Sequence, residues 1–102
     1  RSPRMQVRRL AAHPHRKPKQ RRILQVVGII WKDAVFSDKE EAPKPVDMLT
    51  VGFLVGENKD QVSVAHEVDM SDGEFRGVTS VPRGMVTKLT KLGRPISITY
   101  DA

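Results

Sequence analysis

The chain has 102 residues, 38% of them apolar and 5% aromatic, and a formal net charge of +6. That length fits one compact domain and leaves no room for a separate catalytic partner domain. No stretch approaches the roughly 20 apolar residues needed to span a bilayer, and the composition has 29% charged residues and no cysteine. It excludes disulfide frameworks, thiolate zinc sites and cysteine nucleophiles, and it is compatible with a cytoplasmic location.

The charge is concentrated at one end. Residues 1–22 hold nine of the 18 cations, namely Arg1, Arg4, Arg8, Arg9, Arg16, Lys17, Lys19, Arg21 and Arg22, and none of the 12 anions. The rest of the chain is mildly acidic, so the pattern is a basic N-terminal arm (1–22) on an acidic body. Pro3, Pro14 and Pro18 interrupt any long helix in the arm, leaving room for a short helical turn from Gln6 to Ala12. Such an arm suits three roles: a solvated tail, an electrostatic tether for nucleic-acid phosphates, or a removable Arg-rich leader.

From Ile23 onward the sequence reads as strands. Ile23 to Phe36 is rich in β-branched and aromatic residues, and Ser37 to Asp47 is a polar loop punctuated by Pro43 and Pro45. Leu49, Val51, Phe53 and Val55 alternate as on a half-buried strand, and Glu57 to Asp60 reads as a hairpin turn. Val62, Val64, His66 and Val68 alternate next, which places His66 on the apolar face as a core or interface residue. Asp69 to Gly73 is a second turn, followed by a strand from Glu74 to Val81. Pro82-Arg83-Gly84 breaks the chain tightly before a strand near Met85 to Leu92. Ile96 to Tyr100 forms either an edge strand or part of a C-terminal tail (93–102).

Five short strands with tight turns predict a mostly β fold. The expected architecture is a small, strongly bent, five-stranded antiparallel SH3-like barrel over residues 23–92. Glycines inside strands, at Gly28, Gly52 and Gly77, fit sharp bends or bulges. No catalytic constellation, cofactor motif or metal-ligand spacing emerges. His13 and His15 lack a nearby carboxylate, Asp38, Glu40 and Glu41 sit in a solvated loop, and Trp31 and Phe53 are assigned to core packing.

The order of elements resembles the Sm/LSm group of RNA-binding proteins, whose two signatures span strands two to three and four to five. Gly52-Phe53-Leu54-Val55-Gly56, then Asn58-Lys59-Asp60 and Val62-Ser63-Val64-Ala65, is similar to the first. Gly77-Val78-Thr79-Ser80-Val81-Pro82-Arg83-Gly84-Met85-Val86 is similar to the second. The chain also looks like the small Sm-like proteins of marine phage and metagenomic origin. The family's Met-Asn pair is absent, and Pro82 precedes the Arg.

The resemblance implies a non-catalytic protein that binds nucleic acid, single-stranded RNA more than DNA, as a closed homo-oligomeric ring. Strand four of one copy would pair with strand five of the next. Asn58 and Lys59 of one loop and Arg83 and Gly84 of the other would hold the strand at a central pore. Arg8, Arg9, Arg16, Lys17, Lys19, Arg21 and Arg22 of the arm would contact phosphates. No cofactor, metal or membrane partner is expected. The alternative is a protein–protein adaptor or structural subunit that uses an SH3-like barrel, which the acidic body favours.

Overall fold

A computed structural model describes residues 18–34 and 37–101. The helical turn expected at 6–12, and the contacts expected of Arg8, Arg9, Arg16 and Lys17, lie outside the described residues. Seven strands form: β1 (Lys19–Leu24), β2 (Val26–Asp33), β3 (Val46–Glu57), β4 (Gln61–Val68), β5 (Phe75–Pro82), β6 (Val86–Lys91) and β7 (Ile96–Asp101). A 3-10 turn, Arg83–Met85, joins β5 to β6. The strands make two antiparallel sheets, one ordered β5-β4-β3-β2-β6 and the other the pair β1-β7. The mostly β expectation holds, with seven strands rather than five.

The bend of β3 organises the larger sheet. From Val46 to Phe53 this strand pairs with β2, and from Phe53 to Glu57 it pairs with β4. Gly52 lies at the changeover and is buried. A Cβ built there would stand 2.6 Å from the Ala65 carbonyl oxygen, so only the bare backbone lets the two strands approach this closely. Inside the bend lie Val27 and Ile29 from β2 with Val62 and Val64 from β4. Trp31, Leu54, Val86 and Leu89 pack against them, and Val81 is buried as well. Burying each such aliphatic side chain contributes roughly 1.5–3 kcal/mol. The Trp31 ring stays half-buried and its Nε1–H donates to Thr50 Oγ1 at 2.9 Å.

Three sequence expectations change here. The apolar alternation of β3 points outward: Leu49 is 67% exposed and Val51 48%, while Phe53 is half-buried. His66 is exposed, because burial on the β4 face it shares with Val62 and Val64 ends at Val64. Finally, no closed barrel is present among the described residues, since β5 and β6 end the sheet order unpaired with each other.

The segment expected as one strand from Ile23 splits at Gln25. β1 pairs with β7 from Lys19↔Asp101 to Leu24↔Ile96, and β2 pairs with β6 from Val27↔Lys91. The chain thus forms two long antiparallel runs, β1–β2 and β6–β7, kinked at Gln25 opposite residues 92–95. Gln25 pins the kink: its carbonyl accepts from Leu54 N–H at 2.8 Å, and its Nε2 donates to the Val26 and Gly93 carbonyls at 3.0 and 3.3 Å. The division placed at residue 22 therefore cuts through β1, and Lys19, Arg21 and Arg22 are strand residues. Ile96–Asp101 is an edge strand rather than a loose tail.

The β1–β7 ribbon docks on the turn between β4 and β5. Leu24 and Ile98 are buried. The Arg22 guanidinium lies 4.2 Å over the Phe75 ring and donates to the Gly73 carbonyl. Gly73 has a φ of +73°, and a Cβ there would run into the Tyr100 ring. Asp69 holds the same turn, accepting from Ser71 N–H (2.9 Å), Ser71 Oγ (2.6 Å) and Arg76 Nη2 (2.5 Å). The two bonds from Ser71, with the Arg76 charge behind them, lower the Asp69 pKa below its ordinary 3.8.

Two predictions follow from these contacts. Gly52→Ala should lose roughly 1–3 kcal/mol in urea unfolding through overpacking. Gly56→Ala, where nothing lies within 4 Å, serves as the control. Equal stability of the two variants would show that the close approach at Gly52 does not hold the bend. For Asp69, a folded pKa below 3.8 means its contribution is present above that pH and fades as pH falls through the folded value. Asp69→Asn should therefore be less stable than the parent at pH 7. The gap should narrow on acidification below pH 3.8, and a gap that stays constant in acid would rule out the carboxylate as its source.

Candidate nucleic-acid interface

The expected loop residues converge. Asn58 opens the β3–β4 turn, and its Oδ1 accepts from the backbone N–H groups of Asp60 (2.8 Å) and Gln61 (2.9 Å). Its own backbone N–H donates to the Gln61 carbonyl at 3.0 Å. The side chain thus shapes an Asx-type turn and has little capacity left for a ligand. Lys59 is exposed at the tip.

Pro82, at φ −56°, leads into the 3-10 turn Arg83–Met85. The Arg83 backbone N–H donates to the Asp60 carbonyl at 2.8 Å, which joins the two loops. The Arg83 guanidinium reaches Glu57 Oε2 at 3.3 Å, with both side chains nearly half exposed. An exposed pair of this kind is worth about 0.2–1 kcal/mol, so a phosphate can compete for the guanidinium. The local charges Glu57, Lys59, Asp60 and Arg83 cancel, which makes this a hydrogen-bonding and stacking surface more than an electrostatic one.

Gly84 carries no conformational demand at this turn. Nothing lies within 4 Å of a Cβ placed there, and its φ is not positive. The turn does not require glycine, although Gly84 leaves the backbone bare at the tip.

The strand cations divide by face. Arg22 points inward onto Phe75 and is a packing residue, not an exposed phosphate contact. Lys19 and Arg21 are exposed on the opposite face; Lys19 pairs with Asp101 at 3.3 Å, and Arg21 donates to Ser97 Oγ at 3.3 Å. Three further cations, Lys88 and Lys91 on β6 and Arg94 in the next turn, escaped the sequence reading and are all exposed. Their signal was the spacing of lysines through Val86-Thr87-Lys88-Leu89-Thr90-Lys91, read there only as a strand.

Among the described residues no group of three or more His, Asp and Glu side chains is placed to hold a metal ion. No helix among them is long and apolar enough to cross a membrane. No protein-family model, curated protein or solved structure matches the chain.

The contrast between the two turn residues is testable by thermal unfolding. Asn58→Ala should lose roughly 1 kcal/mol, because two backbone donors lose their acceptor. Gly84→Ala should stay within about 0.5 kcal/mol of the parent. A large loss at Gly84 would mean that another molecule packs against that turn.

Proposed function

We propose that the protein is a non-catalytic, nucleic-acid-binding protein of the Sm-like kind, with an SH3-like β framework, acting as a homo-oligomeric ring on single-stranded RNA. The observation that carries this reading is the junction of the Asn58–Asp60 turn with the Arg83 turn through the 2.8 Å bond from Arg83 N–H to the Asp60 carbonyl. The Sm-like resemblance assigns ligand contacts to these two loops, and they lie side by side. Arg83 and Lys59 offer the guanidinium and ammonium that grip phosphate or stack on a base. The bare backbone at Gly84 leaves room for close approach.

The sheet edges support self-association. β5 and β6, which the Sm-like resemblance would count as strands four and five, are the two ends of the larger sheet. Each presents unpaired backbone groups, and pairing β5 of one copy with β6 of the next satisfies both. Such a contact is heterologous, and a ring closes it. The core has only eight buried apolar residues among those described, so added burial between copies is a substantial stabilisation.

The adaptor reading draws on a different surface. Leu49, Val51 and Ile30 lie exposed on the outer face of β3 and β2, and the Leu49 and Leu92 side chains both cover Gly28. An apolar patch of this kind also suits a protein partner.

Light scattering and oligonucleotide titration separate the two. The nucleic-acid reading expects a multi-chain assembly that binds a labelled U-rich oligomer. Arg83→Ala should weaken binding at least tenfold at unchanged mass, because one substitution removes the group from every copy. A monomer that binds no oligomer would favour the adaptor.

A further inference from the structure

Apart from Lys59 at the β3–β4 tip, the cations with no carboxylate within 4.0 Å among the described residues lie away from the two paired loops. β1, β2, β6 and β7 with their connecting turns carry seven cations, Lys19, Arg21, Arg22, Lys32, Lys88, Lys91 and Arg94, against the two anions Asp33 and Asp101. Residues 46–85, which form β3, β4, β5 and their turns, carry seven anions against three cations. The larger sheet therefore has a basic edge strand in β6, with Lys88 and Lys91, while the acids gather on β3, β4 and their turns; β5 itself carries Arg76 and no acid.

The ion pairs sharpen this division. On the acidic side Arg76 and Arg83 are each matched to a carboxylate, and on the basic side Lys19 and Lys32 are. Arg21, Lys88, Lys91 and Arg94 have no carboxylate within 4.0 Å among the described residues, and all four are exposed.

These four come in order along the β6–β7 run and its β1 partner, with Lys88 and Lys91 on opposite faces of the edge strand, opposite Ile30 and Val27. Lys88 and Lys91 are roughly 10 Å apart along β6 at the strand rise of about 3.3 Å per residue. Arg94 follows in the turn that Gln25 Nε2 ties down through the Gly93 carbonyl. On the far side of that kink, Arg21 shares the outer face of the ribbon with Ser97 and Thr99, the register partners of Ile23 and Arg21. Hydroxyls beside cations are the groups that hold phosphate oxygens. Upstream in sequence, residues 1–17 add Arg1, Arg4, Arg8, Arg9, Arg16 and Lys17 without one acid.

We infer that the β6 edge and the outer face of the β1–β7 ribbon form a phosphate-binding track for single-stranded nucleic acid, separate from the Arg83 loops and leading from Lys88 through Lys91 and Arg94 to Arg21. The inference rests on the reading of this protein as a nucleic-acid binder, but it needs neither a ring nor a pore. A track of this kind grips the backbone and is indifferent to base identity, whereas the loops with their bare backbone at Gly84 are where bases approach. Side chains on β6 stand above and below the sheet, so pairing of its edge with another strand leaves them available.

The test uses the full chain with Lys88, Lys91 and Arg94 all changed to Gln, compared with the parent and with Arg83→Ala. Binding of a fluorescent 20-nucleotide U-rich strand is followed by anisotropy from low to high salt, with mass by light scattering. The triple variant should keep the parent's mass and thermal stability. Its log K against log salt slope should be shallower by about 2, at roughly 0.7 per lost phosphate contact. Arg83→Ala should change the slope by less than 1.

An unchanged slope in the triple variant, with weaker binding by Arg83→Ala, would overturn the track while the nucleic-acid reading stands. A parent that binds no strand at any salt would overturn both. A triple variant whose mass falls while its slope is unchanged would assign these cations to a contact with a neighbouring copy, and that too would overturn the track.

Discussion

The close approach of Gly52 to the Ala65 carbonyl governs the architecture. With no side chain there, β3 can pass within backbone distance of β4 and turn, giving its first half to β2 and its last five residues to β4. The bend creates an inside and an outside. Val27, Ile29, Val62 and Val64 meet on the inside, and Leu49 and Val51 are left on the outside. The pairing of β4 with β5, which sets Gln61 opposite Pro82, brings the Asp60 carbonyl into reach of the Arg83 N–H.

Around this frame, the N- and C-terminal strands of the described region act as a brace. The β1–β7 ribbon continues the β2–β6 pair past the kink at Gln25, then crosses to the β4–β5 turn. There Arg22, Phe75, Gly73 and Tyr100 pack as one cluster. Arg22 is thereby removed from the pool of cations available to a ligand. A guanidinium stacked on an aromatic ring and bonded to a carbonyl is worth more to the fold than a free surface charge.

Electrostatics and hydrogen bonding are divided between different parts of the surface. The paired loops hold balanced charge and a fixed backbone shape, since Asn58 spends its acceptor on the turn and Arg83 faces Glu57. Beyond Lys59 at the loop tip, exposed unpaired cations lie on β1, β6 and the turn between β6 and β7. A ligand that touched both would be gripped by charge along the basic track and positioned by shape at the loops, a separation of affinity from register common where proteins meet nucleic acids.

Local patterns in the chain were enough to establish the β class, the strands β4, β5 and β6, and the turns at Asn58–Asp60, Asp69–Gly73 and Arg83–Gly84. Alternation, β-branched residues and turn chemistry act over a few neighbours and survive in one dimension. They could also single out Arg83, Asn58 and Lys59 as loop residues. They could not tell that Asn58 serves the turn, that Glu57 faces Arg83, or that Gly84 is unconstrained, because each depends on which backbone lies opposite. The β1–β7 ribbon was hidden for the same reason: Gln20 and Tyr100, hydrogen-bonded at 3.3 Å, stand 80 positions apart. The outward face of β3 was hidden too, since a period of two marks two faces without saying which is buried. Only the tertiary packing of β2 against β4 around Val27, Ile29, Val62 and Val64 chose between them, while the β4–β5 register brought the two loops together.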